Sequence, residues 1–209
     1  MVRSIDEALA DFGDGRGIGL GEVFRLIPIR AWARYNDKQR EERAVLSRPR
    51  TQAGMIHNYM EHQARLALAD HPDVSLSPPN MQAFFFDVMG RWRFRPHLLN
   101  DDLTIQTNTT GLALGFVNQA PSQRGLGLGQ DLTNLHLGYR LNSARSGLAS
   151  VHIVCPTSKE VVFWHYTLLG PDADWPTLDR AARPDGPRPR LRPGETAAQE
   201  PRRTGESGA

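Results

Sequence analysis

Cysteine is nearly absent from this chain, since Cys155 is the only one in 209 residues. A disulfide framework within the chain is therefore excluded, and so is a zinc site built from thiolates. Lysine is almost as scarce: of the 25 basic residues, only Lys38 and Lys159 are lysine and the other 23 are arginine. Because GC-rich bacterial genomes typically encode arginine in place of lysine, the abundance of arginine alone does not indicate nucleic-acid binding.

Long hydrophobic runs are also missing. No stretch approaches the ~18 apolar residues that a membrane-spanning helix needs, and the first residues carry acids where a secretory signal has its apolar segment. The formal net charge is only +2, and no block is basic enough to act as an electrostatic arm. We therefore expect a cytoplasmic protein with no membrane partner and no cofactor.

The standard signatures of phosphate binding and nucleophilic catalysis are lacking as well. The glycine-rich stretches GDGRGIGLGE (13–22) and RGLGLGQ (124–130) have neither the third glycine of a dinucleotide fingerprint nor the Gly-Lys-Ser/Thr of a phosphate loop. We interpret both as loops. No serine lies in a Gly-x-Ser-x-Gly elbow, and Cys155 ends an apolar run in which a small core residue is expected.

The composition divides the chain into three regions. Residues 1–50 predict an N-terminal extension with a Gly-rich loop and an amphipathic helix, which apolar spacing places at about residues 30–46. Residues 51–170 predict an α+β domain that begins with a helix capped by Thr51. Residues 171–209, rich in Pro, Arg and Gly, have too little to bury and predict a disordered tail.

The central region carries alternating and turn patterns. The segment AFFFDVMGRWRFRP predicts a hairpin with Asp87 and Gly90 at the first and last turn positions. A short capped helix is expected at NTTGLALGFVNQ, and an antiparallel meander at LTNLHLGYRL, LASVHIVC and EVVFWHYTLL. The expected fold class is α+β: N-terminal helices, a β-hairpin, a short helix and a three-stranded antiparallel meander, forming one mixed or antiparallel sheet packed on helices.

One strand of the predicted hairpin alternates arginine with aromatic residues, as GRWRFRPHLL. Alternation assigns the aromatic side chains to the core and the arginines outward. Such a face either holds a polyanion or is solvated, and the solvated interpretation is favoured. The candidate nucleic-acid contacts are Arg50, Arg91, Arg93, Arg95 and Arg140, with His97 beside them.

Histidines offer the other candidate sites. His57 and Glu61 are four apart on one helix face, a spacing at which two side chains can share a metal. Glu61 is also spaced for a surface ion pair with Arg65, and that interpretation is favoured. Three further histidines, His136, His152 and His165, fall in different predicted strands, and a polar outer sheet face is the expected outcome.

The order helix, hairpin, short helix and further strands resembles the core of the restriction-endonuclease-like nucleases. That family places an Asp near one strand and a Glu-x-Lys on the next, around a divalent metal. The resemblance puts Asp87 in the place of the Asp and Glu61 in that of a helix acid, with Asp101 and Asp102 nearby. Since the next strand reads Arg93-Phe94-Arg95 where Glu-x-Lys should stand, the resemblance implies phosphate contacts without cleavage.

A second resemblance covers residues 48–168 and is carried by RFRPHLLNDDL, NTTGLALGFVNQ, LTNLHLGYRLN and VHIVCPTSKEVVFWHYTL. These runs are similar to a group of bacterial proteins, mostly from GC-rich genomes, that has no assigned activity. Some members are encoded beside helix-turn-helix regulators. This resemblance implies a family domain and no particular reaction.

Three functions follow as hypotheses. The first is a non-catalytic nucleic-acid-associated or regulatory protein in a bacterial stress or defence operon, with DNA, RNA or a neighbouring helix-turn-helix regulator as partner. The second is a protein-interaction module whose N-terminal helix docks through Ile29, Trp32 and Tyr35. The third is a metal-dependent nuclease with a divergent site at Asp87, Asp101 or Asp102. They are ranked in this order, and whether the chain is an enzyme stays open.

Overall fold

The structure is a computed structural model that describes residues 2–12, 19–42, 46–79, 81, 83–105, 110–119 and 132–170. Helices precede most of the strands, so the predicted α+β class is confirmed. The elements, in chain order, are α1 (Ile5–Phe12), α2 (Leu20–Glu41), α3 (Pro49–Leu68), β1 (Val74–Leu76), β2 (Phe86–Val88), β3 (Trp92–Leu98), α4 (Gly111–Val117), β4 (Thr133–Leu141), β5 (Leu148–Pro156) and β6 (Val162–Leu169).

The strands form one six-stranded sheet in the order β1-β2-β3-β4-β5-β6. Neighbours are antiparallel except β3 and β4, which run parallel. A parallel pair needs a crossover connection, and α4 lies in it. The predicted hairpin is confirmed as β2–β3, and the predicted meander as β4–β5–β6. Strand β1 adds a third strand to the hairpin that the sequence pattern did not predict.

The main core lies on one face of the sheet, called here the helix face. The rings of Phe12 and Trp92 are 5.3 Å apart, and those of Phe24 and Phe94 are 4.9 Å apart, so α1 and α2 pack directly on β3. Trp92 and Phe94 are fully buried, which confirms the alternation expected for this strand. Each buried side chain of this kind contributes about 1.5–3 kcal/mol.

Helix α2 differs from its prediction. Apolar spacing placed a helix at about 30–46, but α2 spans Leu20–Glu41 and contains Pro28. An internal proline costs ~3 kcal/mol because it removes a hydrogen bond and crowds the preceding turn. The fully buried Phe24 and Ile27 lie in the turn before it, and their burial offsets that cost. The predicted start after the proline is therefore wrong.

The predicted cap of α3 is also wrong. Thr51 lies inside the first turn, and the helix begins at Pro49 after Arg48, whose side chain makes no capping hydrogen bond. Proline suits the first helical position because its missing N–H has no partner there in any case. By contrast, the short helix α4 has the expected cap, since the Thr110 hydroxyl accepts a hydrogen bond from the N–H of Ala113.

The hairpin turn is shifted by one residue from the expected position. Asp87 pairs with Arg93 within the ladder, and Val88 pairs with Trp92. The turn therefore consists of residues 89–91, in which Met89 and Gly90 have positive φ angles of 53° and 62°. The prediction of Asp87 as the first turn residue is wrong. As a consequence, the Asp87 side chain shares a sheet face with Arg93, because directly opposite residues project to the same side.

A smaller apolar cluster covers the other side of the sheet, called here the α4 face. Its buried members, with Leu103 and Val162 packed against them, are Leu99, Ile105, Val117 and Val154. The part of this face around the cluster is therefore covered, while His165, the register partner of Val154, is exposed. Within the described residues, no helix is long and apolar enough to cross a membrane. The glycine-rich residues 13–18 and 124–130 and the predicted tail 171–209 lie outside the described residues.

Candidate anion-binding site

The arginines of the β3 hairpin project to the α4 face or the rim of the sheet, where they are partly buried rather than fully solvated. Arg93 donates two hydrogen bonds of 2.7 Å to the carboxylate of Asp87 and stacks over the Phe85 ring at 4.1 Å. Its side chain is only 15% exposed. The outward direction expected from the alternation is right for Arg93. The expected solvent exposure is wrong for this residue, because the Asp87 carboxylate and the Phe85 ring cover its guanidinium.

Two further arginine candidates are also paired. Arg91 contacts Asp11 at 2.7 Å and Glu7 at 3.1 Å. The buried Asp11 accepts a second hydrogen bond, from the indole N–H of Trp92, so this ion pair fastens α1 to the hairpin. Arg140 is paired with Asp101. Of the five proposed nucleic-acid contacts, Arg91, Arg93 and Arg140 are thus neutralised within the chain, while Arg50 is exposed on α3.

Arg95 is the exception on this strand. Its guanidinium lies over the Phe116 ring, 5.2 Å from the centroid, and its Nε is buried without a hydrogen-bond partner. It forms no ion pair with any described residue. Burial lowers the pKa of Arg95 from its usual value. The Arg95 side chain is partly buried, and no described carboxylate compensates its charge, which is unfavourable to the extent that the group has lost its hydration.

Histidines surround Arg95. His136 is its register partner on β4, and the His136 ring lies 5.3 Å from that of His97 and 5.1 Å from that of Phe116. His136 is 1% exposed, and neither ring nitrogen has a hydrogen-bond partner in the part of the chain that the structure describes. The expected polar outer face is therefore wrong for His136, because α4 covers it.

The three histidines near Arg95 have depressed pKa values. Burial, followed by the charge of Arg95, lowers the pKa of His57. Burial lowers the pKa of His97 to about 4, with Arg95 and His57 adding to the effect. Burial and the neighbouring His97 lower the pKa of His136. All three rings are therefore neutral at pH 7, and each can donate one hydrogen bond and accept one.

A cavity of about 620 Å³ opens beside this cluster, between α3, the end of β3 and the β4–β5 turn. His57 and His97 connect it to Arg95, which interacts electrostatically with both. The residues that line it are Ala53, His57, His97, Leu98, Leu99, Asn100, Asp101, Leu141, Asn142, Ser143 and Arg145.

Arg145, in the β4–β5 turn, is the cation in the cavity wall. Its Nε donates to Oε1 of Gln52 at 3.0 Å, and Nε2 of Gln52 donates back to its carbonyl oxygen at 3.0 Å. The backbone of Arg145 is in the left-handed region, with φ at 52°, where non-glycine residues are strained. The buried Gln52 holds it there. Arg145, like Arg95, has no ion pair with a described residue.

Of the other two strand histidines, His152 is hydrogen-bonded within the chain and His165 is exposed. His152 contacts the Ser150 hydroxyl at 2.7 Å and the Thr167 hydroxyl at 3.1 Å, and its ring lies 6.0 Å from that of His165. Burial lowers the pKa of His152 to about 4. Ser150 is almost fully buried and out of reach of a substrate. We interpret this group as a structural hydrogen-bond network.

The predicted metal and nuclease residues are dispersed. Glu61 is paired with Arg65, and Asp87 with Arg93. Asp102 accepts hydrogen bonds from Thr104. No group of three or more His, Cys, Asp or Glu side chains in the described ranges is arranged to hold a metal. His57 lines the cavity, whereas Glu61 is engaged by Arg65.

Sequence reasoning singled out Arg95, His57 and His97, but it missed Gln52 and Arg145. These two residues are 93 positions apart, in a helix and a turn that share no motif. Arg145 stands in NSARSG, a run whose composition indicates only a turn between strands. The fold brings the two together, so no local signal in the sequence could have found them.

Comparison of the chain with protein-family models, with curated proteins and with solved structures gives no match. The two resemblances noted from the sequence stay predictions, and so does the bacterial operon context.

Proposed function

We propose that this protein is a non-catalytic, regulatory binding protein that takes a small anionic molecule into the cavity beside Arg95 and Arg145. One observation carries the proposal. The guanidinium groups of Arg91, Arg93 and Arg140 each meet a carboxylate of the chain, whereas those of Arg95 and Arg145, next to the cavity, meet none among the described residues.

Desolvation links an unpaired arginine to ligand affinity. A buried guanidinium whose charge is not compensated destabilises the fold, and removing one partner of a buried pair costs about 3–5 kcal/mol. A protein that keeps such a group without a partner of its own gains affinity when an anion arrives, because the ligand compensates the charge. Arg95 is partly buried and its Nε lacks a partner. Because Arg95 does not line the cavity, an anion bound there would compensate its charge through space.

The cavity is suited to bind such a ligand. Its volume of about 620 Å³ falls within the ~300–1,000 Å³ typical of small-molecule sites. His57 and His97 present neutral rings to it, and Arg145 is held in place by Gln52. A fixed cation in a partly enclosed wall recognises a carboxylate or phosphate group without having to be ordered first.

A nucleic-acid partner remains a prediction with less support. Non-specific affinity scales with the phosphates that a protein neutralises, and three of the five predicted contact arginines are already neutralised by carboxylates. Gel shifts with a DNA duplex and a single-stranded RNA across a salt series test it directly. Binding lost in the Arg93→Glu, Arg95→Glu variant would restore the strand as a polyanion site.

Calorimetric titration with small anions tests the proposed function. The anions are benzoate, acetate, inorganic phosphate and citrate. We expect saturable binding of at least one of them, weakened at least tenfold by Arg145→Asn. Asparagine tolerates the positive φ at this position, so the variant removes the charge with little strain. Gln52→Glu should weaken binding similarly, because the new carboxylate pairs with Arg145.

The matched control is Lys159→Asn. Lys159 lies in the β5–β6 turn, at the opposite end of β5 from the cavity, so this variant also loses one positive charge but keeps the site. It should bind as the wild type does. Absence of binding by every anion, or equal loss in the Arg145→Asn and Lys159→Asn variants, would contradict the proposal.

A further inference from the structure

We infer that the ligand is a small monocarboxylate with an apolar body. Its carboxylate lies at Arg145, and its body lies against the lining leucines Leu98 and Leu141. This inference rests on the proposed function and narrows it to one chemical class. It depends on two features, the charge balance of the lining residues and the position of the apolar ones.

The charge balance favours a single negative charge. Arg145 is the cation among the lining residues, while Asp101 contributes a carboxylate to the same wall. Asp101 is paired with Arg140, and its side chain is 96% exposed. A polyphosphate would need several cations or a cluster of backbone N–H groups. In this cavity, a second negative charge would instead approach Asp101.

The histidines reinforce this selectivity. His57 and His97 line the cavity, and burial together with the charge of Arg95 keeps both neutral at pH 7 through lowered pKa values. They therefore supply ring nitrogens for hydrogen bonds without adding further positive charge. Arg95 does not itself line the cavity, but its positive charge lies close enough to stabilise one bound carboxylate.

The apolar part of the wall accounts for the body of the ligand. Three lining residues, Ala53, Leu98 and Leu141, offer partly exposed hydrocarbon surface, whereas the lining residue Leu99 is buried. Leu98 and Leu141 are only half-buried, so the protein itself leaves part of their surface uncovered. Covering it with a ring or short alkyl chain contributes roughly 25 cal/mol per Å², which a compact anion such as acetate or phosphate cannot gain.

Calorimetry with chosen probes separates the two features. Benzoate carries both charge and body, acetate only the charge, benzamide only the body, and ATP several charges. We expect benzoate to bind at least tenfold more tightly than acetate, benzamide, inorganic phosphate or ATP. If phosphate or ATP binds more tightly than benzoate, the monocarboxylate inference is wrong and the proposed function stands. If no anion binds, both are wrong.

A variant pair tests the position of the body. Leu141→Asn should weaken benzoate binding several-fold while leaving acetate binding unchanged, because only the apolar contact is lost. Arg145→Asn should weaken both ligands. The control is Leu66→Asn, since Leu66 is 67% exposed on α3 and does not line the cavity. An equal loss of benzoate and acetate binding in Leu141→Asn would contradict the assigned orientation.

Discussion

Replacement of Arg95 by methionine should stabilise the free protein. The buried, unpartnered Nε of Arg95 costs about 1–3 kcal/mol in lost hydration. Methionine has a comparable length, and its sulfur can pack on Phe116 for about 0.3–1.5 kcal/mol, which offsets the cation–π contact of about 0.5–2 kcal/mol that is lost. The net expectation is a gain of about 1 kcal/mol, or ~2–4 °C in Tm.

Arg93→Met is the matched control on the same strand. Arg93 donates twice to Asp87, and the two side chains are only 15% and 19% exposed. Its removal leaves a largely buried carboxylate without a partner, for which we expect a loss of about 2 kcal/mol, below the ~3–5 kcal/mol of a fully buried pair. Two arginines separated by one residue should therefore change stability in opposite directions.

Urea unfolding followed by circular dichroism and tryptophan fluorescence measures both variants, with the benzoate affinity determined in parallel. The Arg95→Met variant should be more stable and bind more weakly, which is the combination expected of a residue retained for binding at the expense of the fold. If Arg95→Met instead destabilises the free protein by more than about 1 kcal/mol, the guanidinium has a structural partner, and the reasoning from an uncompensated charge is refuted.

Two further predictions concern packing and pH. A Cβ at Gly138 would lie 2.4–2.8 Å from three atoms of the buried Leu99, so Gly138→Ala should cost about 1–3 kcal/mol of stability. Gly54 lies in open space on α3, so Gly54→Ala should gain about 0.5–1 kcal/mol. Chemical unfolding compares the two variants, and equal stabilities would show that Leu99 moves freely. The pKa values of His97 and His152 are about 4 in the folded chain, below the ordinary 6.5, so the unfolded chain binds more protons between these values. Their contribution to stability is complete above about pH 6.5 and is lost as the pH falls towards 4, by up to ~1.4 kcal/mol per pH unit and histidine. Unfolding free energies at pH 7 and 5 check this, and a His152→Asn variant with an unchanged slope would contradict it.

The fold could be predicted where local patterns decide the structure. Alternation in β3 identifies Trp92 and Phe94 as core residues, and the run NTTGLALGFVNQ predicts a short capped helix, which the structure shows as α4. Alternation shows which face a side chain occupies, but not what covers that face. Alternation therefore places the arginines and His136 in solvent, whereas Asp87 covers Arg93 and helix α4 covers Arg95 and His136.

The candidate site was only partly accessible to sequence reasoning for the same physical reason. Arg91 and Asp11 are 80 positions apart, and Arg145 and Gln52 are 93 apart, so their contacts depend on strand register and helix docking. Whether an arginine is free or neutralised is a property of these long-range contacts. The difference between the paired Arg93 and the unpaired Arg95, on which the proposed function depends, became visible only in the structure.

The most direct measurement is a crystal structure of the protein soaked with 4-bromobenzoate, with anomalous diffraction collected at the bromine edge. The account predicts an anomalous peak inside the cavity, near Leu98 and Leu141, with the carboxylate within hydrogen-bond distance of Arg145. Bromine peaks confined to the surface, in crystals whose cavity is open to solvent, would contradict the assignment of this cavity as the binding site.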